Sequence, residues 1–123
     1  MQKPQKRKRK VSDWDIGKSE DKILFKITDP EGVNVLLYAK QWEHLKKHPE
    51  SRPISKVRSG VQKPDIILLN EARNAKIYTT ISSTNLYFNV IASVISETEC
   101  RISTAYIKNV LPKGDCTWQR SKK

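Results

Sequence analysis

Leu86-Tyr87-Phe88-Asn89-Val90-Ile91-Ala92-Ser93-Val94-Ile95-Ser96 alternates in polarity along its length. Phe88, Val90, Ala92 and Val94 fall on one parity and are all apolar, whereas Tyr87, Asn89, Ile91, Ser93 and Ile95 fall on the other. A period of two means a strand, and the wholly apolar set marks its core face. Ser83-Thr84-Asn85 and Glu97-Thr98-Glu99 flank it as turns, so strands are expected over 76–82 and 100–107 as well. Upstream, Asp65-Ile66-Ile67-Leu68-Leu69 reads as a fourth short strand, joined to the next by the polar turn Glu71-Ala72-Arg73-Asn74-Ala75.

Nearer the start, Ile23-Leu24-Phe25-Lys26-Ile27-Thr28 and Val33-Asn34-Val35-Leu36-Leu37-Tyr38 have strand composition. Asp29-Pro30-Glu31-Gly32 between them is a turn, with proline at its second position and glycine at its fourth. A helix is expected from Ala39 to His48, with Tyr38, Trp42 and Leu45 on its core stripe, and a shorter one around Ile54, Val57 and Val61. The order β-β-α-α-β-β-β-β predicts an α+β fold, with an N-terminal hairpin and helices packed on a four-stranded antiparallel sheet. One domain is expected over 23–118, preceded by a basic arm over 1–22 and followed by a basic tail over 119–123.

Charge points to the partner. The 123 residues carry 24 Lys and Arg against 13 Asp and Glu, a net +11. Six of those charges (Lys3, Lys6, Arg7, Lys8, Arg9 and Lys10) lie in the first ten residues, so the rest of the chain still carries +5. Such a field attracts polyanions such as nucleic acid, RNA foremost, an anionic membrane surface or an acidic partner, for example an antitoxin or immunity protein. The arm residues Arg7, Lys8, Arg9 and Lys10, the helix residues Lys46, Lys47 and Arg58, and Lys63 are the candidate phosphate contacts. No apolar run approaches the ~18 residues of a membrane span, and no secretory signal opens the chain. A soluble cytoplasmic protein with free thiols at Cys100 and Cys116 is expected, with no membrane partner.

Both histidines lie in Trp42-Glu43-His44-Leu45-Lys46-Lys47-His48-Pro49-Glu50. Their i, i+4 spacing puts two imidazoles on one helical face, at an end that Pro49 is expected to set. Metal-free RNA cleavage needs a base for the 2′-hydroxyl, an acid for the leaving 5′-oxygen and donors for the charge gathering on phosphate. Histidine suits the first two tasks. Thr104 and Tyr106, two apart on one strand and so on one face, suit the third together with Arg58 and Lys63. His44, His48, Cys100 and Cys116 would make a four-ligand metal set, but there is no Cys-x-x-Cys pair and Leu45 replaces the glutamate of the His-Glu-x-x-His pattern. No metal or cofactor is expected.

Four blocks occur in order: the Trp42 to Glu50 stretch; Lys63-Pro64-Asp65-Ile66-Ile67; the apolar strand around 86–95; and Ile102-Ser103-Thr104-Ala105-Tyr106, followed by Lys113-Gly114 and Trp118. Across roughly 23–118 the chain resembles phage-associated or mobile-element members of the Barnase–EndoU–colicin–RelE nuclease superfamily. The resemblance implies an endoribonuclease of toxin or phage-conflict type, metal-independent, with a site between helix and sheet. It implies His48 as the catalytic histidine, Thr104 and Tyr106 as strand-borne partners, and His44 in support. The alternative is a noncatalytic nucleic-acid-binding module.

Overall fold

The computed structural model describes residues 22–51 and 53–120. Its elements are β1 (Ile23–Thr28), β2 (Asn34–Tyr38), helix α1 (Ala39–Leu45), a 3-10 turn (Pro49–Ser51), helix α2 (Ile54–Gln62), β3 (Ile66–Asn70), β4 (Ala75–Ser83), β5 (Leu86–Val94), β6 (Glu99–Lys108) and β7 (Asp115–Gln119). The α+β class stands, but the four-stranded antiparallel sheet does not. All seven strands join one sheet in the order β1-β2-β6-β5-β4-β3-β7. Three strands, β1, β2 and β7, account for the difference. The N-terminal hairpin adds itself to the sheet, because β2 pairs in parallel with β6. The segment 115–119, where no strand was expected, pairs antiparallel with β3.

The sheet has two different faces. On the core face, Val35, Leu37, Ile67, Tyr78, Phe88, Val90 and Ala92 are buried together with Leu45 of α1 and Val57 and Val61 of α2. Both helices cover this face. A Cβ at Gly60 of α2 would stand only 3.2 Å from Val90 Cγ2 and 3.3 Å from Phe88, so glycine lets that helix lie close. Ser51 in the 3-10 turn donates its hydroxyl to the Ala105 carbonyl on β6 at 3.3 Å, inside the protein. The helix expected to reach His48 ends earlier, at Leu45. Past the capping residue Lys46, the amides of Lys47 and His48 bond back three residues to the His44 and Leu45 carbonyls, a tighter winding, and Pro49 opens the 3-10 turn rather than closing the helix.

The sheet is strongly curled. Asp29 lies in the β1–β2 turn, and β2 is three strand spacings from β4, about 14 Å in a flat sheet. Yet Lys76 Nζ of β4 reaches Asp29 Oδ2 at 2.9 Å and Glu31 Oε1 at 2.8 Å. Thr117 on β7, at the opposite edge, donates to Glu31 at 3.1 Å. Tyr78 OH donates to Asp29 Oδ2 at 2.7 Å, and the Glu31 and Val33 amides donate to Asp29 Oδ1. The turn is thus a clamp that draws the two ends of the sheet around the core.

This clamp makes stability depend on pH at both extremes. Burial raises the Asp29 carboxyl, but hydrogen bonds from Tyr78, Lys76 and the Val33 amide outweigh it and hold the group below its ordinary 3.8. Burial lowers Lys76, but its bonds to Glu31 and Asp29 and their charges carry it above 10.5. Burial and the bond to Asp29 push Tyr78 far above 10.0, and burial raises Cys100 above 9.0. The Asp29 contribution is present above about 3.8 and is lost as pH falls through its lowered folded value. The other three are full below about 9.0 and drain away as pH climbs toward their raised folded values. A pH series of urea denaturation midpoints is expected to show a plateau that falls below about pH 4 and above about pH 9; a flat alkaline limb would contradict this.

Candidate nucleic-acid interface

The outer face of the sheet holds the second parity of β5. Thr79 pairs with Asn89 and Tyr106 with Asn89 on its other side, while Ile91 lies between Ile77 and Thr104, and Ser93 beside Ala75. Thr79 Oγ1 donates to Asn89 Oδ1 at 2.7 Å, and both side chains are fully buried. In place of a helix, this stretch meets the β6–β7 connection. Between the two lies a groove of about 530 Å³, lined by Ala75, Ile77, Ile91, Thr104, Tyr106, Pro112 and five polar residues. Those five are Asn70, Arg73, Ser93, Ser103 and Lys113.

Local backbone chemistry sets this rim. Arg73 sits in the β3–β4 turn, where its amide donates to Asn70 Oδ1 at 3.2 Å. The following Asn74 adopts φ +53° and donates its side-chain amide to the Val94 carbonyl, locking the turn. Lys113 precedes Gly114 at φ +156°, where a Cβ would lie 3.0 Å from the Leu69 carbonyl oxygen; only glycine lets this connection press against β3. Ser103 is the extra residue of a bulge where β5 pairing steps from Ile91–Thr104 to Ala92–Ile102. Its hydroxyl donates to the Ile91 carbonyl at 3.1 Å, and its own carbonyl accepts from the Gln41 side chain of α1. The groove therefore presents two cations and several hydroxyls, and no carboxylate lines it. Arg101 stands over Tyr38, 5.1 Å from the ring centroid, on the same face, and Lys108 over Tyr106 at 5.7 Å.

The expected site residues divide. Thr104 and Tyr106 share this groove, both half-buried. His44 and His48 do not line it; both are exposed on the layer that covers the core face. Gln41 of α1 and Ser51 of the 3-10 turn bond the Ser103 and Ala105 carbonyls beyond the last β2–β6 pair, so the histidine segment runs along β6 without lining the groove. The histidine segment instead serves packing, through Leu45 in the core and Trp42 against it. Lys46 pairs with Glu43 at 2.9 Å, and Lys47 and Arg58 are exposed. Lys63 caps α2, and its carbonyl accepts from Arg120 Nη2 at 2.7 Å, so the Lys63-Pro64-Asp65 block is a joint: Asp65 Oδ2 also accepts the Ile81 amide at 2.7 Å. Arg7, Lys8, Arg9 and Lys10 lie outside the described residues.

Cys100 is buried and Cys116 exposed, and among the described residues no cluster of three or more His, Cys, Asp or Glu side chains is arranged to hold a metal ion. Among those residues, too, no helix is long and apolar enough to cross a membrane. Reading from sequence missed Arg73, Lys113, Asn70, Ser93 and Ser103. The turn residues Asn70 and Asn74 around Arg73, and Gly114 after Lys113, were the only local signals for the two cations. No family model, no curated protein and no solved structure matches this chain.

Proposed function

We propose that the chain binds RNA in the groove on the outer face of its sheet. The observation that carries this reading is the lining: Arg73 and Lys113 arrive from separate loops to flank hydroxyls, with no carboxylate to repel phosphate. Hydroxyls of Ser93 and Thr104 can donate to and accept from a ribose 2′-hydroxyl, the group that distinguishes RNA from DNA, and that of Ser103, whose proton goes to the Ile91 carbonyl, can accept from it. The basic arm adds sequence-independent attraction. We place the activity in the reducing cytoplasm, in keeping with two free thiols, and an acidic protein partner would compete with RNA for the same cations. Fluorescence anisotropy of a labelled RNA strand across a salt series tests it. Binding that weakens steeply with salt and exceeds that of the matched DNA is expected; salt-independent binding, or none, would overturn it.

A second reading, cleavage of the bound RNA, is favoured by one observation: Thr104 and Tyr106, the strand pair of the nuclease resemblance, share the groove with Arg73 and Lys113. In that reading the 2′-oxygen bonds to phosphorus as the bond to the 5′-oxygen breaks; the 2′-hydroxyl proton passes to solvent water, the Tyr106 hydroxyl gives its proton to the leaving 5′-oxygen and is reprotonated from solvent, and the cations hold the phosphate charge. The exposed histidines have no part in it. Purified protein with chelator is then expected to cut RNA, Tyr106→Phe to abolish the cut, and His48→Ala to leave it within about twofold. His48→Ala should also shift stability by less than about 0.5 kcal/mol, as exposed positions do. Loss of cutting in His48→Ala would restore the histidine to the site.

A further inference from the structure

We infer that the groove takes one unpaired nucleotide, so that single-stranded RNA rather than duplex is what the protein recognises. This rests on the RNA reading above and narrows it. The groove's apolar part is made of Ile77 on β4 paired with Ile91 on β5, Ala75 two residues along beside Ser93, and Tyr106 and Pro112. Charge lies only at the two loop ends, on Arg73 and Lys113. This division matches a nucleotide, with an apolar base face for the floor and an anionic phosphate for the rim. A duplex offers the opposite surface. Its base faces are stacked inside, and what meets a protein is phosphate and ribose, so seating it here would leave Ile77 and Ile91 against charged oxygens.

Size agrees. About 530 Å³ lies within the roughly 300–1,000 Å³ range of pockets for single small ligands. Proteins that read duplex RNA instead spread over many base pairs and follow its backbone. Aromatic stacking is how single strands are held without regard to sequence. Tyr106 is placed for this: Lys108 stands over its ring but is not part of the groove lining. Asn70 adds a polar edge. Its Oδ1 is occupied by the Arg73 amide, which leaves the Nδ2 hydrogens to donate to an acceptor on a base.

Three labelled probes of equal length separate the possibilities: a single-stranded RNA, the same strand annealed to its complement, and an abasic ribose-phosphate strand. Anisotropy is read with the full chain, and strand integrity is checked on a gel. The single strand is expected to bind at least about 10-fold more tightly than either other probe. Tyr106→Ala is expected to remove about 10-fold from single-strand binding while leaving the abasic strand unchanged, and Tyr106→Phe to restore it. Should Tyr106→Ala fail to fold by circular dichroism, Tyr106→Leu keeps the bulk and removes the stack. Duplex binding as tight as the single strand, or equal loss on base-bearing and abasic probes, would overturn the inference while leaving RNA binding intact. Failure of all three probes to bind would remove the RNA reading itself.

Discussion

Asp29→Ala is expected to cost about 3–5 kcal/mol of folding stability, a large part of the roughly 5–15 kcal/mol that holds a domain folded. The Asp29 side chain is fully buried and Lys76 nearly so. Its carboxylate accepts from Lys76 Nζ, the Tyr78 hydroxyl, and the amides of Glu31 and Val33. Alanine leaves the phenol without its acceptor and two turn amides without theirs, and leaves the ammonium with Glu31 alone. Each unmet buried donor costs about 1–3 kcal/mol. The sheet also loses the link that draws its β1–β2 end toward β4. Denaturant unfolding should show a lower midpoint at unchanged slope. Adding Lys76→Met to Asp29→Ala should recover part of the loss, because the uncompensated charge is then gone. A loss under about 1 kcal/mol would mean that the clamp does not hold the curl.

The second large effect concerns binding. Arg73→Glu with Lys113→Glu is expected to weaken RNA binding on the order of 100-fold at moderate salt and to flatten the log–log salt slope by about 1.4, as removal of two phosphate contacts on a single strand requires. Both side chains are on loops at the groove rim, so stability should change little. Lys46→Glu with Lys47→Glu is the comparison, because it reverses the same charge on the layer covering the core face. It should cost far less. Equal losses from both pairs would mean that net charge, and not the groove, attracts the RNA.

Much of this was legible in the chain. The parity of 86–94 is the clearest case: Phe88, Val90 and Ala92 are buried and face the helices, as their spacing required. The same rule put Thr104 and Tyr106 on one face, and they share the groove. Period two says which residues go together but not which face the helices will cover. Whether His48 joins the groove depends on how α1 and the 3-10 turn pack along β6, a long-range matter without local signature. The hairpin's place in the sheet did have a signal. Val35, Leu36 and Leu37 are three consecutive apolar residues, all buried, which marks a strand covered on both faces and not an edge. β7 had almost none: Trp118 is its one large apolar side chain, and an edge strand can take its order from the backbone of its neighbour.

The most direct test of the central claim is a map of where RNA touches. Amide chemical shifts of the full chain, followed as a short single-stranded RNA is titrated in, locate the contact without a mutation. The shifts are expected to cluster at Asn70, Arg73, Ile91, Ser93, Thr104, Tyr106 and Lys113, with His44 and His48 unmoved. Shifts centred on the two histidines and α2, with the groove silent, would contradict it.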